Sequence, residues 1–148
     1  MSIKIIAKNK RAGFDNFLEQ KFEAGIVLKG TEVKVLRLGK VEMQDAHVVI
    51  DHGEAWVYNL VIPHYDFGNI NNHEISRKKK LLLNSEEIKQ IEHKMKTQQL
   101  NLIPTTLYFS KSLVKIEIAL AKGKKLHDKR EDKAKKDVER KLRRGIYD

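Results

Sequence analysis

The sequence predicts a mainly β protein: a small antiparallel β-barrel of the OB type with flanking helices, followed by a basic C-terminal tail. Three observations carry this expectation. Short apolar runs separated by turn residues recur along residues 1–122, the mark of many short strands. One run alternates Val114, Ile116, Ile118 and Leu120 with Lys115, Glu117 and Ala119, the period of a half-buried strand. The charge then steps up: residues 122–148 hold twelve Lys or Arg against six Asp or Glu, more than half of the chain's net +10. About six short strands with two helices fit a closed or nearly closed barrel, and OB barrels commonly bind single strands and structured RNA.

The elements follow in order. Phe17 to Leu28 is a strand-like run that leads into Gly30. Thr31 to Leu38 reads as a helix with Thr31 as N-cap and Gly39 just past its end, although its β-branched residues weaken the pattern. Ala46 to Ile50 and Ala55 to Ile62 are two strands, with His52-Gly53 as the tight hairpin turn between them. Leu81-Leu82-Leu83 ends a short strand after a basic run. Ser85 to Gln98 is the clearer helix: Ser85 opens it, Glu86 and Glu87 occupy its first turn, and Ile88, Ile91 and Met95 share a face. Leu102 to Phe109 and Leu113 to Leu120 are strands across Ser110-Lys111-Ser112. The division is therefore a barrel over 1–122 and a tail over 123–148. The tail's large aliphatics are Leu126, Val138, Leu142 and Ile146, too few to fold alone, so it is expected to be disordered when free.

Thirty Lys and Arg against twenty Asp and Glu point to a polyanion partner, nucleic acid before an anionic membrane. The absence of cysteine excludes disulfides, thiol catalysis and Cys-ligated zinc. No apolar run approaches the roughly 20 residues that span a bilayer, and the N-terminus has no signal-peptide pattern, so a cytoplasmic protein is expected. Six scattered histidines have no ligand spacing, and no nucleophile, phosphate-loop or dinucleotide motif is present. These residues therefore name no catalytic group, and no metal or cofactor is expected.

The binding signals are basic. Arg77-Lys78-Lys79-Lys80 precedes the three leucines and reads either as a solvated strand edge or as a phosphate-binding ridge beside a hydrophobic anchor. Lys8-Asn9-Lys10-Arg11 is a second cluster. In the tail, Ala134, Val138, Leu142 and Ile146 recur every four residues, with Lys133, Lys136, Arg140, Arg143 and Arg144 largely off that stripe. Such a helix is marginal in water and forms when its cations meet phosphates; the alternative is a frayed extension.

Several blocks resemble one family. Phe22-Glu23-Ala24-Gly25-Ile26-Val27-Leu28-Lys29-Gly30-Thr31-Glu32-Val33-Lys34 is similar to the hallmark stretch of the SsrA-binding, or SmpB, family, and Leu36-Arg37 and Gly39-Lys40 continue it. Asn9-Lys10 with Ala12, the Arg77 to Leu83 run with Glu87-Ile88, and Ala119 to Lys125 leading into Asp128-Lys129-Arg130 resemble three further family elements in the same order. Departures are Phe14 and Asn16 where the family often has His and Tyr, Val35 for Ser, Lys79 for Arg, and the Pro63-His64 order.

The resemblance implies an OB-like barrel that binds the tRNA-like domain of tmRNA (SsrA RNA) and delivers it to stalled bacterial ribosomes in trans-translation. It implies elongation factor Tu as a further partner in the aminoacyl-tmRNA complex. It also implies a tail that becomes helical in the decoding centre and empty mRNA channel. The implied tmRNA contacts are Asn9, Lys10, Glu32, Lys34, Arg37, Arg77, Lys78, Lys79, Lys80, Leu82, Lys124 and Lys125. The implied ribosome-engaging residues are Asp128, Lys129, Arg130, Lys133, Lys136, Val138, Arg140, Leu142 and Arg143. Two readings stay open for Glu32, a hydrogen-bond acceptor for RNA or a first-turn helix acid. Trp56, Tyr58 and Phe67 offer stacking faces, with core packing favoured for Trp56. The rival reading is a general or structural OB-type RNA-binding protein without a rescue role.

Overall fold

A computed structural model describes residues 3–65 and 74–124. Seven strands form one antiparallel sheet, and three helices flank it. The strands are β1 (Ile3–Lys8), β2 (Asn16–Ile26), β3 (His47–Asp51), β4 (Glu54–Tyr58), β5 (Lys79–Leu82), β6 (Asn101–Ser110) and β7 (Leu113–Gly123). The helices are α1 (Lys10–Asp15), α2 (Gly30–Arg37) and α3 (Ser85–Gln98). The spatial order is β1-β6-β7-β2-β5-β4-β3.

β7 lies in the interior of the sheet, and its residues explain why. Val114, Ile116 and Ile118 point into the core, and then Ala119, Leu120 and Ala121 are buried on both faces. It runs against β2 from Asn16↔Gly123 to Gly25↔Lys115 and against β6 from Asn101↔Ala121 to Ser110↔Leu113. Three register shifts interrupt the long strands, at Ile5/Ala7, Leu18/Gln20 and Pro104/Thr106. Proline lacks the ladder donor, so Pro104 fits beside such an irregularity. Bulges bend and twist the strands that carry them, which rolls the sheet over its core. β3 is thereby brought against the first residues of β6, and α3 contributes Glu92 and Met95 to the crevice between them. Leu36, Leu60, Ile62, Leu81, Ile91, Leu102, Leu107, Ile116, Ile118 and Leu120 fill the interior.

The joint between the two parts of the sheet is narrow. β2 meets β5 at Gly25↔Leu82 and Ile26↔Leu81, with one further bond from the Val27 amide to the Lys80 carbonyl at 2.9 Å. Every other ladder in the sheet is longer.

Several boundaries differ from expectation. β1 and α1 were not expected: β1 exposes Ile3 and Ile5 at an edge, and α1 is a six-residue helix with Gly13 inside it. The strand expected over Ala55 to Ile62 ends at Tyr58, because Asn59 takes φ of +58°. Leu60 and Ile62 beyond it are still buried, and Val61 bridges Glu42. Lys29, not Thr31, caps α2, and the Glu32 carboxylate accepts the Lys29 amide at 2.8 Å. Gly39 follows α2 with φ of +75°, as a residue just past a helix end should. Asn84 precedes α3 and its amide donates to Glu87 at 3.3 Å. The His52-Gly53 turn forms, with both residues at positive φ. β7 runs one residue past the expected 1–122 limit.

Replacing Ile118 with Ala should destabilise the fold by about 2–5 kcal/mol, because the site is closed on all sides. Ile3→Ala, at an exposed edge, should change stability by less than about 0.5 kcal/mol. Urea denaturation followed by circular dichroism measures both.

Candidate RNA interface

Glu32 is fully buried near the β2–β5 joint. Its Oε1 accepts from Arg77 Nη2 at 2.5 Å and from the Lys29 amide. Its Oε2 has no hydrogen-bond partner and lies 3.8 Å from Lys79 Nζ, a Coulombic contact rather than a hydrogen bond. Arg77 also donates to the carbonyls of Val27 at 3.3 Å and Lys78 at 3.1 Å. The Lys79 ammonium is fully buried and donates to the carbonyls of Leu60 and Arg77, both at 2.9 Å. Burial pushes Lys79 down to about 8; Glu32 opposes that shift and Arg77 adds to it.

This cluster brings together three of the expected site residues. Lys79 offers no cation to solvent, because β5 alternates and its pattern puts Lys79 and Leu81 inside. Glu32 is buried, with Oε1 taken by the Lys29 amide and Arg77 and Oε2 facing the Lys79 ammonium. Arg77 has its guanidinium committed to Glu32 and two carbonyls. Asn9 is likewise engaged: its Nδ2 donates to Met43 and Pro104 carbonyls at 3.2 Å, and its amide donates to Thr105 at 2.8 Å. It clips the end of β1 to β6.

The remaining cations do face outward. Lys78 Nζ sits 4.7 Å from the Trp56 ring centroid and Lys34 Nζ 5.3 Å from that of Tyr65. Trp56 is half-buried on the outer face of β4, between inward-pointing Ala55 and Val57, so it is not the core residue expected. Lys80 pairs with Glu54 at 3.3 Å, both half exposed. Lys10, Arg37 and Leu82 are exposed. Tyr58 stacks on His47 at 5.6 Å. Lys124 lies 5.0 Å from the ring of exposed Phe17, and its amide donates to Asp15 at 2.8 Å. Neither Phe17 nor Tyr65 was singled out from the sequence, because an aromatic beside a distant lysine leaves no local pattern. Phe67, Lys125, Asp128, Lys129, Arg130, Lys133, Lys136, Val138, Arg140, Leu142 and Arg143 lie outside the described residues. Among the described residues, no group of His, Asp and Glu could hold a metal ion.

Cations held over half-exposed rings on a β surface are the chemistry of stacking and phosphate contact. Fold and surface together define a basic, mainly antiparallel β protein of nucleic-acid-binding type. The family described as SmpB protein matches residues 6–148. The SsrA-binding protein of Geotalea uraniireducens is 52% identical over 140 residues, covering 95% of this chain and 93% of that one. That of Pelobacter propionicus is 47% identical over 146 residues, covering 99% and 96%. A chain in a solved structure described as "tmRNA-SmpB: a journey to the center of the bacterial ribosome" superposes with a TM-score of 0.68 at 39% identity, covering 81% of this chain and 85% of that chain. The chain belongs to the SmpB family.

Glu32→Gln should cost about 3–5 kcal/mol of stability, since it leaves two buried cations without a counter-charge. Lys79 also gives a pH signature. Its folded pKa lies below the unfolded value, so the cost of burying its charge disappears as pH rises from about 8 to 10.5. Relative to a Lys79→Met variant, the wild type should gain roughly 2 kcal/mol between pH 7.5 and 10, read from urea midpoints.

Proposed function

We propose that this chain binds the tRNA-like domain of tmRNA and delivers it to bacterial ribosomes stalled without a stop codon, so that the stalled peptide is tagged and the ribosome released. The observation that carries the reading is family membership across nearly the whole chain, joined to outward cations on aromatic rings. Recognition of a folded RNA rests on shape, phosphate contacts and stacking of unpaired bases, not on a duplex code. Lys34, Lys78 and Lys80 supply the phosphate contacts of one face, Lys10 extends them, and Trp56 and Tyr65 supply ring faces. Leu82, 55% exposed, gives an apolar contact to ribose or base.

The role is binding rather than catalysis. The rolled sheet acts as an OB-like platform, and Arg77, Lys79 and Glu32 hold its surface in place from beneath. No helix among the described residues is long and apolar enough to cross a membrane, which is consistent with cytoplasmic work on ribosomes. Elongation factor Tu joins the aminoacylated complex. The tail from about residue 123 engages the decoding centre and the empty mRNA channel. Its ordering cost is offset only where rRNA phosphates surround a vacant channel, and that condition supplies discrimination.

A chain truncated after Lys124 should keep most of its affinity for tmRNA and lose peptide tagging. Changing Asp128, Lys129 and Arg130 together to Ala should have the same split effect. Filter binding beside a reconstituted tagging reaction tests both, and joint loss of binding and tagging would move the primary RNA site into the tail. Equal affinity for tmRNA and a tRNA of similar charge would favour the general RNA-binding reading instead.

A further inference from the structure

Lys4 of β1, Arg37 at the end of α2 and Lys111 of the β6–β7 turn converge on one pocket, whose other walls are Phe109 and Ser112. No carboxylate lines it. All three cations are exposed, and none makes an ion pair or hydrogen bond among the described residues. Several other lysines of the body are neutralised in pairs: Lys21 with Glu117, Lys115 with Glu23 and Lys80 with Glu54. The fold itself assembles the uncompensated trio. The ladder places Lys4 opposite Phe109, a two-residue turn fixes Lys111 at φ of +58°, and the C-terminal end of α2 favours a cation at Arg37. Like charges gathered in one concavity raise the local potential, and an anion bound there relieves the repulsion.

We propose that Lys4, Arg37 and Lys111 form a second RNA-phosphate site, which takes a phosphodiester of an RNA backbone apart from the face built by Lys34, Lys78 and Lys80. The proposal rests on the RNA-binding reading above and adds a contact to it. Glu32 and Arg37 stand five residues apart on α2, about 7.5 Å along its axis, so the buried carboxylate supports the first face while Arg37 in the last turn serves the second beside it. Leu113, 63% exposed beside the turn, and the Phe109 wall offer apolar surface to the flanking ribose. The phosphate belongs either to tmRNA or to ribosomal RNA, and the two sources separate experimentally.

Full-length wild type and a Lys4→Gln/Lys111→Gln variant are titrated across a salt series against the isolated tRNA-like domain and against small ribosomal subunits. Lys89→Gln/Lys96→Gln on α3 removes the same charge from an exposed helix face and serves as the control. The expected result is about fivefold weaker binding by the pocket variant to at least one RNA. Its log–log salt slope should be shallower by about 0.7–0.9, the loss of one phosphate contact, with the slope of the control unchanged. Loss with the tRNA-like domain assigns the phosphate to tmRNA, and loss with the subunit alone assigns it to ribosomal RNA. Slopes equal to wild type on both RNAs, or an equal change in the control, would overturn the site. If wild type fails to prefer tmRNA over tRNA, the functional reading falls, and the slope difference on whichever RNA binds still decides the pocket.

Discussion

A single buried carboxylate holds the molecule's weakest seam. β2 and β5 share a short ladder, yet through it the four-stranded half of the sheet is joined to β5, β4 and β3. Glu32 sits beside that joint and draws in Arg77 and Lys79 from the chain entering β5 and the Lys29 amide from the start of α2. Arg77 then reaches the Val27 carbonyl, just past the end of β2. Electrostatics does here what a longer ladder does elsewhere. The cost is two cations and an anion taken out of water, recovered only while all three remain together.

The surface chemistry depends on that buried group. Lys78 and Lys80 project outward because Lys79 and Leu81 are turned inward, and the outward pair lands beside Trp56 and Glu54 on β4. Lys34 is carried by the same helix that Glu32 caps. A basic run that reads as four equivalent charges therefore divides into two structural cations and two displayed ones.

The sequence made much of this legible. The alternation in β7, the His52-Gly53 turn and the face of α3 are local signals, and each appears where its period places it. β1 escaped because an edge strand need not alternate, and Ile3 and Ile5 face solvent. The fates of Lys79 and Glu32 escaped for another reason. They lie 47 residues apart in the chain, and neither residue type announces burial. Asn9 was recognised as important, but its bonds to Met43 and Pro104 depend on segments 34 and 95 residues away. Local chemistry shows in a sequence; which charge meets which across the fold does not.

Among the described residues, the outer side of β1 has no strand neighbour and carries two exposed isoleucines, the kind of border that recruits another strand. The register shift after Ile5 breaks that border in its middle, so an incoming strand could follow one half but not both. Lys4 and Lys8 add like charge to any copy of itself that approached antiparallel. Self-stacking along this border is thus penalised in geometry and in charge.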